Sequence, residues 1–101
     1  MMIVVFRSRL TAEAGADYAE TADAMLARAR SMPGFLEFKH FTADDGERLA
    51  LIRWESAETL RAWAEDLEHR DAQRRGRERW YSTYTIEVAE VQRTSRFARR
   101  G

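Results

Sequence analysis

The chain contains no cysteine. Disulfide staples, thiolate metal sites and a cysteine nucleophile are all excluded, and a small secreted scaffold becomes an unsuitable description. It also lacks any apolar run near the roughly 20 residues that a membrane-spanning helix needs, and no signal-peptide pattern follows Met1. A cytoplasmic protein without membrane contact is expected. Net charge is missing too: 17 basic residues balance 17 acidic ones. The general positive field on which non-specific nucleic-acid binding rests is therefore absent, and no nucleic-acid partner is expected. Histidine is scarce, His40 and His69 being the two, and neither lies in a metal-ligand spacing. Glycine-rich phosphate loops, dinucleotide fingerprints and a serine–histidine–aspartate context do not occur either. No metal and no cofactor is expected.

What remains is a soluble globular composition, 45% hydrophobic and 34% charged over 101 residues. That is one domain with a small core. Residues 1–92 carry the periodic segments; residues 93–101 form a basic tail whose one large apolar residue is Phe97.

Met2 to Leu10 alternates as a strand, with Met2, Val4, Phe6, Ser8 and Leu10 on one face and Ile3, Val5, Arg7 and Arg9 on the other. Tyr18, Ala22, Met25, Ala29 and Met32 then recur at helical spacing until Pro33-Gly34 ends the helix. Gly34 to Thr42 and Arg48 to Trp54 read as strands joined by the turn Ala43-Asp44-Asp45-Gly46. In the first of them Phe35, Glu37, Lys39 and Phe41 should oppose Leu36, Phe38, His40 and Thr42. Ser56 caps a second helix whose stripe is Leu60, Trp63, Ala64 and Leu67. The stripe fades there, so a break or a separate short helix is expected after about Glu68. Tyr81 to Val91 is the last strand, with Tyr84, Ile86 and Val88 opposite Tyr81, Thr83, Thr85, Ala89 and Val91.

The order is βαββαβ, an α+β, ferredoxin-like arrangement with an antiparallel sheet. Two helices shelter one face of such a sheet, yet both faces carry large apolar side chains. A bare second face would leave several hundred Å2 of apolar surface in water, more than soluble monomers usually carry. A homodimer through the sheet faces is expected.

Pro33-Gly34-Phe35 before the second strand, Trp54-Glu55-Ser56 after the third, Trp63 and His69 in the following helical region, and the run from Arg75 to Tyr81 resemble the antibiotic biosynthesis monooxygenase family. The likeness extends to about Val91 and implies a dimeric α/β barrel. It implies, further, cofactor-independent oxidation of a phenol, hydroquinone or polyketide-like aromatic by dioxygen. In that chemistry the substrate supplies the electrons, and the protein supplies a dry pocket, a base and orientation. His69, which titrates near neutrality, and Ser8, a hydroxyl on an otherwise apolar strand face, are the candidate catalytic residues. Trp63, Gln73, Phe6 and Phe38 are the candidate substrate-binding residues. The family's heme-degrading branch has asparagine where Ser8 stands and histidine at about Gln73. Glutamine is a poor iron ligand, which disfavours heme chemistry unless His69 takes that role.

Each residue also has a plainer use. Trp63 fits a helix core, His69 follows Glu65 by one helical turn, and His40 suits an ordinary sheet position. The competing functions are a non-catalytic homodimer that binds a small ligand, and a single-strand nucleic-acid module built on Arg70, Arg74, Arg75, Arg77 and Arg79 beside Trp80, Tyr81 and Tyr84.

Overall fold

The computed structural model describes residues 1–100, with Leu67 and Glu68 described through their backbone alone. The elements are β1 (Met2–Leu10), α1 (Ala16–Ser31), β2 (Phe35–Thr42), β3 (Arg48–Trp54), α2 (Ala57–Glu65), α3 (Leu67–Arg75), a π-helical turn (Gly76–Trp80) and β4 (Tyr81–Glu90). Residues 91–100 form no helix or strand. The antiparallel sheet has the order β2-β3-β1-β4, so β3 lies between the two strands that α1 connects. The fold is α+β and ferredoxin-like, as expected from the element order.

Several local expectations meet their physical cause here. Gly46, with φ of +90°, closes the β2–β3 hairpin, and Gly46 N–H donates to Ala43 O. Ser56 and Thr59 form a reciprocal capping box at the start of α2. The helical break comes earlier than the fading stripe suggests. Asp66 adopts an extended backbone, ending α2 and capping α3 through its carboxylate, which accepts from His69 N–H at 3.0 Å. Gly76 does not break the helix but opens the π turn. A side chain at Gly76 would collide with the Tyr81 ring, 2.6 Å away, so its absence lets Tyr81 pack against the turn. In the stripe of α2, Leu60 and Trp63 are half-buried while Ala64 is exposed; the Leu67 side chain lies outside the described residues.

Two register shifts correct the face assignments. Phe35 pairs with Trp54 and Glu37 with Arg53, which leaves Leu36 as an extra residue; likewise Leu10 pairs with Tyr81 and Arg9 with Thr83, which leaves Ser82 over. One inserted residue inverts a period of two. Phe35 therefore shares the helix-side face with Phe38 and His40, and Tyr81 shares it with Tyr84 and Ile86.

The core is small, with its main cluster at one end of the sheet and Ala72 and Trp80 buried separately. Val4, Ala29 and Trp54 are buried, with Met2, Met32, Phe35, Ile52, Leu60 and Trp63 packed around them. Elsewhere the helices stand off the sheet, and a cavity of about 590 Å3 lies between the layers.

Candidate active site

The floor of the cavity is the inner face of the sheet. Cross-strand pairing arranges it in rows: Arg48, Ser8 and Tyr84 lie side by side, as do Ala50, Phe6 and Ile86, then Ile52 and Val4, with Val88 in register but outside the cavity. β2 extends the second and third rows with His40 and Phe38. The rows change from polar to apolar along the strands, so the cavity has two chemically different ends.

The apolar end is built on four aromatic rings. Trp54 and Trp63 lie nearly parallel with centroids 5.9 Å apart, and Trp63 and His69 stack at 4.1 Å. Phe35 meets Trp54 edge-on at 5.6 Å. The imidazole already covers one face of Trp63, so a ligand ring meets Trp63 and His69 as a unit rather than stacking on a free indole.

His69 is held by two hydrogen bonds besides its stacking on Trp63. Its amide donates to Asp66, whose carboxylate also accepts from Arg28 Nε at 2.9 Å and Nη2 at 2.7 Å, fastening the start of α3 to α1. Its Nδ1 lies 3.2 Å from Trp63 O. A carbonyl can only accept, so Nδ1 carries the proton and Nε2 keeps its lone pair. Burial lowers the pKa of His69 below its usual value, a shift opposed in part by the hydrogen bond to Trp63 O and by the Asp66 charge. At neutral pH the ring is uncharged, with one nitrogen able to take a proton.

The other end is polar. Ser8 is 4% exposed, and its hydroxyl has no hydrogen-bond partner among the described residues. Arg48 stands beside it with its guanidinium 5.6 Å from the Tyr18 ring centre. Phe6 contacts Tyr81 and Tyr84 at 5.4 and 5.6 Å. Burial raises the pKa of the Tyr81 phenol well above the ordinary range, with Tyr18 adding to the effect by its proximity and a hydrogen bond. Tyr81 stays protonated and is not a base. This end is tied down by Thr11, which donates from N–H to Trp80 O and from Oγ1 to Arg79 O, both at 2.7 Å, and by Trp80 Nε1–H donating to Asp17.

All six residues selected from the sequence, Ser8, His69, Trp63, Gln73, Phe6 and Phe38, line this one cavity. Ser8 and His69 stand on the sheet and on α3 respectively, and no hydrogen bond joins them among the described residues, so they do not form a relay. The residues missed were Arg48, Tyr18 and Tyr81. Arg48 and Tyr18 carry regular strand and helix periodicity that gives no hint of a shared site, and Tyr81 was assigned to the wrong face.

A family model for antibiotic biosynthesis monooxygenases matches residues 1–75. The chain belongs to that family. Within reach of it by sequence is the uncharacterised protein YqjZ of Bacillus subtilis (strain 168), 34% identical over 94 residues, which cover 93% of this chain and 82% of that one. Among solved structures, an antibiotic biosynthesis monooxygenase candidate from Deinococcus radiodurans has a TM-score of 0.83 at 14% identity, covering 97% of this chain and 99% of its own. SnoaB from Streptomyces nogalater, a cofactor-independent oxygenase, has a TM-score of 0.75 at 15% identity, covering 92% and 94%. At such identities these likenesses are of fold. Antibiotic biosynthesis monooxygenase domains are typically dimeric, and no helix among the described residues here is long and apolar enough to cross a membrane.

Proposed function

We propose that the protein is a cytoplasmic, homodimeric, cofactor-independent monooxygenase whose domain spans residues 1–92 and which oxidises a small phenol, hydroquinone or polyketide-like aromatic with dioxygen. The observation that carries this reading is His69: uncharged, fixed by Trp63 O and Asp66, and lining an aromatic cavity with Nε2 unprotonated. The family membership and the fold shared with SnoaB support it.

In this reaction His69 takes the phenolic proton. The phenolate passes an electron to dioxygen, and the two radicals combine to form a carbon–oxygen bond. The resulting hydroperoxide loses water to leave a quinone. One oxygen atom ends in the quinone and the other in water, with all electrons drawn from the substrate. Ser8 and Gln73 hold the substrate's oxygens, and Phe6, Phe38 and Trp63 keep the ring dry and oriented.

The reading of a dimer rests on the outer face of the sheet. Ile3, Val5, Leu51 and Phe41 lie there by alternation, Phe41 being 42% exposed. The neighbouring arginines are already neutralised within the chain: Arg7 by Glu47 at 2.8 Å, Arg9 by Asp45 at 2.7 Å and Arg53 by Glu37 at 2.9 Å. Lys39 and Glu87 share this face by alternation and make no ion pair among the described residues, so they are the charges that two meeting copies must accommodate. Leu51→Glu should then turn a dimer into a monomer in light scattering; an unchanged mass would refute the interface.

The catalytic reading is tested with an oxygen electrode, a panel of hydroquinones and anthrones, and no added cofactor or metal. One dioxygen should be consumed per quinone, and His69→Gln should slow turnover by about 100-fold or more, the usual worth of a general base. Silence across the panel, with a ligand still raising the melting temperature, would replace the oxygenase with a non-catalytic binding dimer.

A further inference from the structure

The arginines of the outer face each hold a carboxylate, whereas Arg48 on the inner face holds none among the described residues. Its charge is half-buried beside Ser8, whose hydroxyl makes no hydrogen bond among the described residues, and beneath the Tyr18 ring. A cation withdrawn from water in this way has lost hydration that the Tyr18 ring only partly replaces. The other charged or titratable residues lining the cavity are Asp23, which is exposed on α1 and makes no ion pair with Arg48, the imidazoles of His40 and His69, and the phenols of Tyr18, Tyr81 and Tyr84. We infer that Arg48 and Ser8 form an anion anchor, and that the ligand is an elongated, flat aromatic acid: its carboxylate sits at Arg48, and its far ring reaches Trp63 and His69.

The length follows from the strand. Arg48 and Trp54 are the two ends of β3, and six residue steps span about 20 Å. Arg48 reaches inward from one end, and the Trp63 ring lies 5.9 Å from Trp54 at the other. The gap between them exceeds one benzene ring. A molecule of two or three fused rings bearing a carboxylate bridges it, and a cavity of about 590 Å3 is of a size to take such a ligand. The floor between the ends is mostly apolar, Ala50, Phe6, Ile52 and Val4 offering no anchor, and His40 enters it only from the β2 edge. Charge at one end and rings at the other thus fix both the position and the direction of the ligand.

This inference deepens the reading of the cavity as the oxygenase site and rests on it, but the test reads binding alone. Anthraquinone-2-carboxylate, its neutral carboxamide and benzoate are titrated into the intact protein by calorimetry at pH 7.5 and moderate salt. The carboxylate should bind about 10- to 100-fold more tightly than the carboxamide, as charge-assisted hydrogen bonds allow. Benzoate, too short to span the two ends, should bind more weakly than either. Arg48→Met should abolish the preference for the acid while the carboxamide still binds, and Arg48→Lys should retain part of it. The comparison of acid and amide needs no variant, so it stands even if Arg48→Met folds poorly. Equal affinities, or binding by neither anthraquinone, would overturn the inference. An acid preference lost in Arg48→Met, in a protein that consumes no oxygen with any hydroquinone, would uphold the anchor and dismiss the oxygenase.

Discussion

Gly34→Ala should destabilise the protein by about 2–5 kcal/mol, combining about 1–2 for a left-handed backbone and about 1–3 for overpacking. Gly34 has φ of +84°, and a Cβ built there would lie 2.5 Å from both Cβ and Oγ1 of Thr59. Thr59 belongs to the capping box of α2, so neither partner can move without loosening the helix that carries Trp63. For a domain of this size the midpoint should fall by about 10–30 °C. Differential scanning calorimetry at pH 7.5 measures it. Gly34→Asn separates the two causes, because asparagine accepts positive φ more readily yet carries the same Cβ. If the collision with Thr59 dominates, Asn should be within about 1 kcal/mol of Ala. A loss of less than about 4 °C for Ala would refute the argument.

Asp66→Ala removes the cap of α3 and the part-buried partner of Arg28 together. A loss of about 2–3 kcal/mol is expected in urea denaturation, with a weaker oxygenase turnover as His69 loses its support. Ser8→Ala should leave the melting temperature nearly unchanged, because the hydroxyl faces the cavity and makes no hydrogen bond among the described residues, and should weaken binding of an acidic ligand. Thermal shift and calorimetry read the two effects; a fall in both would make Ser8 structural. His69 has a lowered pKa in the folded state. As the pH drops below about 6.5 the unfolded chain gains a proton first, so stability should decline down to the folded pKa and then level off. Wild type should therefore lose more stability than His69→Gln over that window. The acid limb of kcat/KM should likewise inflect below about 6.5 and vanish in the variant; parallel curves for the two proteins would dismiss His69 as the base.

Much of the site was legible because a side chain out of keeping with its surroundings shows in a linear pattern. Ser8 interrupts an apolar strand face, and Trp63 and His69 stand near one another in a single helical region. The hollow itself followed less directly. Nothing in the spacing of Tyr18, Ala22, Met25 and Ala29 says that their helix will cover a cavity rather than fill it; in the structure Ala29 is buried while Ala22 is exposed.

The sequence alone determined the order of elements, the hairpin closed by Gly46, the cap at Ser56 and the excess of apolar sheet over helix, because periodicity, turn chemistry and composition are local properties. Tertiary structure decided three other matters. Extra residues at Leu36 and Ser82 moved Phe35 and Tyr81 across the sheet, and a bulge is defined only against a partner strand. The carbonyl of Trp63 chose which nitrogen of His69 is protonated. Among the described residues Arg48 was left without a carboxylate while Arg7, Arg9 and Arg53 each found one. Whether a charge is paired depends on which residues register and packing bring within a few ångströms, and that information exists only once the strands have met.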